Sequence, residues 1–133
     1  MPADLRVIRP ADRVLDAASG GMRREAAVSR ALVGAERLWV GYVELHPFDI
    51  SAAHHHGEAE SVIYVISGRA RFVVDGAAHE AGAGDFVWVP PQVVHVEANL
   101  GNEPVRMVVA RSTQDTLVFN VEMPPGWAAI AAG

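Results

Sequence analysis

The chain has 133 residues, half of them hydrophobic and 20% charged, which is the length of one domain and too apolar for bulk disorder. Its formal net charge of −5 argues against nonspecific nucleic-acid or anionic-membrane partners, and no apolar run nears the roughly 20 residues of a spanning helix. Cysteine and lysine are both absent, all 11 basic residues being arginine, which excludes thiolate, disulfide, Schiff-base and Walker-lysine chemistry.

Residues 1–36 are expected to form an N-terminal extension. Within it Met22 to Val33, rich in alanine and arginine, suits either a helix or an edge strand. Residues 37–122 read as short strands separated by turn signals. Leu38 to Leu45 is rich in β-branched and aromatic residues and ends before Pro47. Val62 to Ile66 stops at Ser67-Gly68, and Arg69 to Asp75 returns as its hairpin partner before Asp75-Gly76. A segment near Ala78 to Ala81 precedes the turn Gly82 to Asp85, and Phe86 to Val89 ends at Pro90-Pro91. Val93 to Ala98 alternates, with His95 and Glu97 on one face and Val94 and Val96 on the other. Val105 to Arg111 and Leu117 to Glu122 supply two more strands, and residues 123–133 read as an irregular tail that Trp127 pins to the body. Strands spaced by roughly 8–12 residues without crossover helices predict an all-β antiparallel sandwich or barrel. A soluble protein of the reducing cytoplasm is expected.

The chemistry left to such a chain lies in histidines, carboxylates, hydroxyls and arginines. Three of its six histidines are consecutive, His54-His55-His56, and a fourth, His95, follows the Pro90-Pro91 break. In an extended segment residues i and i+2 share a side, so His54 and His56 face inward together while His55 faces out. Two neutral imidazoles on one strand, a third opposite and a nearby carboxylate make a site for a divalent transition metal. Glu97, on the face of His95, either lines that site or sits on a solvated rim. His46 and His79 are not expected to be ligands, and Arg69 and Arg71 read as an exposed strand face.

These residues resemble the two motifs of the cupin family. Gly84, Pro90, His95 and Asn99 match the second motif at its spacing, with Gln92 where the inner glycine is usual. His54, His56 and Gly68 match the first, although Phe48 stands where a glycine usually precedes the histidines. Counting back from Gly68 places Ser61 at the family's acidic ligand. Glu60, one residue earlier, reaches the metal only through a bulge, and the alternatives are three histidines plus water or Glu58 from the loop. The resemblance covers roughly residues 38 to 111.

It implies a cupin-type jelly-roll β-barrel, an antiparallel double sheet, holding one divalent transition metal per chain (iron, zinc, nickel or manganese). The ligands it implies are His54, His56, His95 and Glu60, with Glu60 and Glu97 as candidate catalytic bases. The expected function is that of a metal-dependent enzyme acting on a small enolisable, polyphenolic or polyketide-like molecule. The reaction is dioxygenation or Lewis-acid cyclisation or isomerisation, with a slight lean to dioxygenation. A non-catalytic metal- or sugar-binding module is the alternative. A homodimer is expected, with residues 1–36 contributing across the interface.

Overall fold

A computed structural model describes residues 4–16, 22–114 and 118–133. In chain order the strands are β1 (Val14–Asp16), β2 (Met22–Val28), β3 (Trp39–Leu45), β4 (His54–His55), β5 (Ser61–Ser67) and β6 (Arg69–Val74). They continue with β7 (Ala77–Gly82), β8 (Phe86–Val89), β9 (Val96–Asn99), β10 (Val105–Arg111) and β11 (Phe119–Asn120). A 3-10 turn at Pro10–Asp12 and two short α-helices, α1 (Arg30–Val33) and α2 (Trp127–Ala132), complete the described elements. No helix among the described residues is long and apolar enough to cross a membrane.

The strands form an antiparallel double sheet of jelly-roll type. One sheet runs β1-β2-β3-β10-β5-β8, a second runs β7-β6-β9, and β4 pairs with β11. Alternation along each strand decides what goes between the sheets. Val43 and Leu45 of β3, Ile63 and Val65 of β5, and Val105, Met107 and Val109 of β10 all point into one buried cluster, where Phe72 of β6 meets them. Fully burying side chains of this size contributes roughly 1.5–3 kcal/mol each, so this cluster is the main hydrophobic support of the sandwich.

Gly68 turns β5 into β6 with φ of +85°, and a Cβ there would lie 2.8 Å from the Pro104 carbonyl oxygen. Glycine is therefore required at this position for both conformation and space. Asn99, at the end of the second motif, closes the β9–β10 connection. Its Nδ2 donates to the carbonyls of Leu45 (3.1 Å) and Glu103 (2.6 Å), and its Oδ1 accepts from the Gly101 amide.

Two parts of the chain differ from the sequence expectation. Met22 to Val33 is neither one helix nor one edge strand. It is the interior strand β2, covered by β1, followed by one helical turn. Ser29 Oγ caps that turn by accepting from the Leu32 amide at 3.2 Å, and Gly34 in the left-handed region stops it. The tail is not irregular, because α2 lies on the outer face of the smaller sheet. There Val73, Val96, Ala98 and Ala131 form a second buried cluster, with Trp127 packed against it. Arg71 serves that helix, its Nη1 donating to the Ile130 carbonyl at 2.9 Å, while Arg69 stays exposed. The expected strand from Leu117 begins partly outside the described residues, and Phe119–Asn120 pair with His55–His54.

Candidate metal centre

His54 and His95 come together because their backbones pair. The His54 amide donates to the His95 carbonyl at 3.1 Å and the His95 amide to that of His54 at 2.9 Å. His56 follows one full alternation after His54, just before Gly57 turns the chain at φ +56°. One ligand atom from each of His54, His56 and His95 lies within 4.8 Å of the others, and all three residues are buried. His55 points elsewhere, its ring stacked on Phe119 at 5.0 Å and its Nδ1 accepting from the Gly57 amide.

Backbone carbonyls fix which nitrogens face the cluster. His54 Nδ1 lies 2.8 Å from the Ala52 carbonyl and His95 Nδ1 lies 3.0 Å from that of Val93. A ring that donates through Nδ1–H keeps the Nε2 lone pair for a metal, and this kind of orienting bond typically accompanies metal-ligating histidines. His95 Nε2 is buried without a hydrogen-bond partner among the described residues, as a metal-facing donor would be, and Glu97 Oε2 beside it is unpartnered as well. The donor set thus fits a divalent transition metal.

The carboxylate in this cluster is Glu97 and not Glu60. Glu97 is fully buried on β9, with Oε1 3.6 Å from His95 Nε2. Glu60 lies on the outside, where its carboxylate accepts from Trp88 Nε1 at 2.7 Å, and its amide donates to Ser112 Oγ. The bulge that would have turned it inward is not there. Ser61 opens β5 in regular alternation with Ile63 and Val65, so the inward place belongs to Ser61, which is buried. Glu58 is exposed and accepts from Gln92 Nε2 at 2.6 Å. The expected Glu60 ligand and base is therefore corrected to a surface residue.

Burial and contact act in opposite senses on the ionisable groups. Burial lowers the pKa of His54 below its ordinary value. Burial would also lower His95 and raise Glu97. Their mutual contact outweighs it, so His95 is held above and Glu97 below their ordinary values.

Two arginines that the sequence reading did not single out share this space. Arg24 of β2 and Arg111 of β10 are buried and line a small chamber with His54, His56, Ser61 and Glu97. The chamber encloses about 30 Å³, room for a few water-sized groups. Trp39 supports both guanidiniums, with Arg111 4.6 Å and Arg24 5.5 Å from its ring centroid. Gly41 makes this possible, since a Cβ there would overlap the Trp39 ring. The signal for Arg111 was strand parity, because Val105, Met107, Val109 and Arg111 all occupy the inward positions of β10. On the other side of His95 an open groove of about 630 Å³ runs between β7 and β8, with Phe72, Phe86 and Trp88 among its walls.

The family model for the cupin domain matches residues 41–111, more than half of the chain. The chain belongs to the cupin family. Among its relatives is the polyketide synthase CurC of Streptomyces cyaneus, 30% identical over 76 residues, which are 57% of this chain and 49% of that protein. The chain spans less than half the length of the curated relatives it matches. Its fold is similar to the polyketide cyclase RemF of Streptomyces resistomycificus, with a TM-score of 0.77 at 20% identity over 92% of this chain and 89% of that one. It is also similar to the oxalate decarboxylase of Bacillus subtilis, a protein with Mn(II) centres, with a TM-score of 0.70 at 21% identity over 90% of this chain and 34% of that one.

Both departures from the family's glycine pattern keep a glycine-like backbone. Phe48 has φ of +63° and Gln92 has φ of +65°, so each side chain sits where a glycine would be unstrained. Gln92 also ties the loop after His56 in place, its amide donating to the Gly57 carbonyl at 2.8 Å while its side chain holds Glu58.

Proposed function

We propose that this cupin is a metal-dependent enzyme that enolises and cyclises or isomerises a small polyketide-like 1,3-dicarbonyl substrate. The observation that carries the reading is Glu97, a buried carboxylate beside three inward histidines with one oxygen lacking a hydrogen-bond partner among the described residues. His54, His56 and His95 would hold the metal, which when bound supplies the Lewis acidity that makes a C–H beside a carbonyl acidic. The similarity to a polyketide synthase protein supports a substrate built of such units.

Glu97 performs the proton work. Oε1 lies 3.6 Å from His95 Nε2, and the unpartnered Oε2 accepts the proton from the carbon between the carbonyls while the electron pair moves onto a carbonyl oxygen. In cyclisation that carbon attacks a second carbonyl of the same molecule, and Glu97 returns its proton to the new alkoxide. The sequence of steps needs no oxidant, and it gives the inward carboxylate a task that dioxygenation would not require. Val43, Ile63, Val89 and Val109 line the chamber and exclude bulk water. The groove beside His95 would carry the body of the substrate against Phe72, Val87 and Val93.

The test is the metal content of untagged protein, with His95→Ala beside it, together with α-proton exchange of acetylacetone in heavy water. Close to one divalent ion per chain, lost in the variant, and enzyme-dependent exchange are expected. Absence of metal after reconstitution overturns the mechanism and leaves a binding module. Iron with substrate-dependent oxygen uptake restores dioxygenation.

A homodimer belongs to the same reading. Leu5, Val7, Val14 and Leu15 of the N-terminal extension are exposed, and β1 is a sheet edge next to them. Light scattering on the eluting gel-filtration peak is expected to give twice the chain mass, and a monomer at micromolar concentration sinks the dimer.

A further inference from the structure

The arginine end of the chamber has no part in holding a metal, and among the described residues only one of its two guanidiniums has a carboxylate within ion-pair distance. Arg24 is 3.3 Å from Asp16 of β1. Arg111 is different. It is 5% exposed, its Nε has no hydrogen-bond partner, and no carboxylate among the described residues lies within ion-pair distance. Its neighbours are the Trp39 ring and the chamber that it shares with His54, His56 and Glu97.

A buried charge without a counter-ion is costly, by several kcal/mol even after relaxation. Stacking on an aromatic face offsets only about 0.5–2 kcal/mol of that. Burial, with the like charge of Arg24, lowers the Arg111 pKa to about 10, so the group is still a cation at neutral pH. A divalent ion, the Glu97 carboxylate and the Arg111 cation together leave the chamber with roughly two positive charges, which a neutral ligand does not offset.

We infer that Arg111 is an anion anchor, and that the substrate presents a carboxylate or a comparably small oxyanion to it from the chamber. The inference rests on the metal-enzyme reading for the excess of positive charge and for the second contact, and on the Arg111 geometry for the place of the anion. The two coplanar oxygens of a carboxylate suit the guanidinium fork, and the chamber's size admits that group but not a ring. Arg24 stands beside it as the second cation, oriented by Asp16, and Trp39 keeps both guanidiniums from folding away. The substrate class narrows accordingly from any 1,3-dicarbonyl to an acidic one, such as a 3-oxo acid, with its charged end at Arg111 and its enolisable carbon toward Glu97.

The probes are acetate and its neutral isostere acetamide, titrated by calorimetry into metal-free and metal-loaded protein. Wild type is expected to prefer acetate in both forms. Arg111→Gln is expected to weaken acetate by roughly ten- to a hundredfold, the range for losing a charged hydrogen bond, with acetamide and metal content unchanged. Arg111→Lys keeps the charge without the fork and is expected to retain part of the preference, and a cooperative melting transition in both variants establishes folding. Equal acetate binding by wild type and Arg111→Gln, with metal bound in each, overturns the anchor while the metal-enzyme reading stands. Acetate preference in metal-free wild type, lost in Arg111→Gln, with no metal ever retained, upholds the anchor and removes the metal-enzyme reading.

Discussion

The first residues of β5 and the middle of β9 offer the same chemistry with opposite results. At β5 an acid, Glu60, stands one residue before the inward position and ends on the surface against Trp88. At β9 an acid, Glu97, stands two residues after His95 and ends buried beside it. Neither distance along the chain nor closeness to a histidine separates the two. Parity does, because a strand without a bulge sends alternate side chains to opposite faces. The site keeps a carboxylate, but the carboxylate has moved from the strand of the first motif to the strand of the second.

The largest effect is expected from exchanging the two acids' roles by mutation. Glu97→Gln preserves shape and removes the base, so α-proton exchange should fall by about a hundredfold or more. Glu60→Gln should leave it within about twofold, since exposed substitutions rarely matter beyond their own contacts. A loss of exchange in Glu60→Gln equal to that in Glu97→Gln would break the parity argument outright.

The pH dependence of the metal-free protein sharpens the same contrast. The folded His54 resists protonation, so it lowers stability as pH falls through the ordinary histidine value near 6.5. The folded His95 gains a proton more readily than the unfolded chain, so it stabilises below 6.5 and loses that contribution as pH rises through its raised value. In wild type these slopes oppose each other. In Glu97→Gln the carboxylate that raises His95 is gone and burial dominates, so both histidines resist protonation. Melting temperature in chelator should then drop more steeply between pH 8 and pH 5.5 in the variant than in wild type. Metal affinity should fall with acidification in both, because His95 must release its proton to bind. Identical melting profiles would show that Glu97 does not control His95.

A smaller effect tests whether the vacated position still works. Ser61 is buried, its Oγ has no hydrogen-bond partner among the described residues, and it lines the chamber. Ser61→Glu puts an acid at the inward place of β5. Overfilling a chamber of about 30 Å³ should destabilise the metal-free protein by roughly 1–3 kcal/mol. Added metal should recover more stability in the variant than in wild type, because the new carboxylate adds a ligand. Equal gains would mean that Ser61 does not face the ion.

Much of this arrangement was legible in the sequence because it is local. Alternation located β3, β5, β8 and β10 to within a residue, and it placed His95 and Glu97 on one face. The first-motif acid was misplaced because spacing left a bulge open, and only the pairing of β5 with β10 and β8 fixes which residue opens the strand. Arg24 and Arg111 meet through β2, β3 and β10, strands far apart in sequence, so nothing local to either residue pointed to the chamber they share. The alanines of Ala128 to Ala132 favour a helix by propensity, but so short a helix holds only because the outer face of β6 and β9 supports it.

The smallest effects concern backbone, where the contrast between an idle and an engaged side chain appears again. Phe48 and Gln92 both hold the left-handed conformation, which costs a non-glycine residue roughly 1–2 kcal/mol. Phe48 is 70% exposed, so glycine there sacrifices little burial. After about 0.5–1 kcal/mol for the extra freedom glycine gives the unfolded chain, Phe48→Gly should stabilise by about 0.5–1 kcal/mol. Gln92→Gly gains the same relief but forfeits the bond to Glu58, worth about 1 kcal/mol, so its stability should stay within about 0.5 kcal/mol of wild type. Denaturant titration in chelator separates the two. Were Gln92→Gly to stabilise as much as Phe48→Gly, the Gln92–Glu58 bond would contribute nothing to holding the loop behind His56. The backbone bond from residue 92 to the Gly57 carbonyl, which glycine keeps, would then hold that loop by itself.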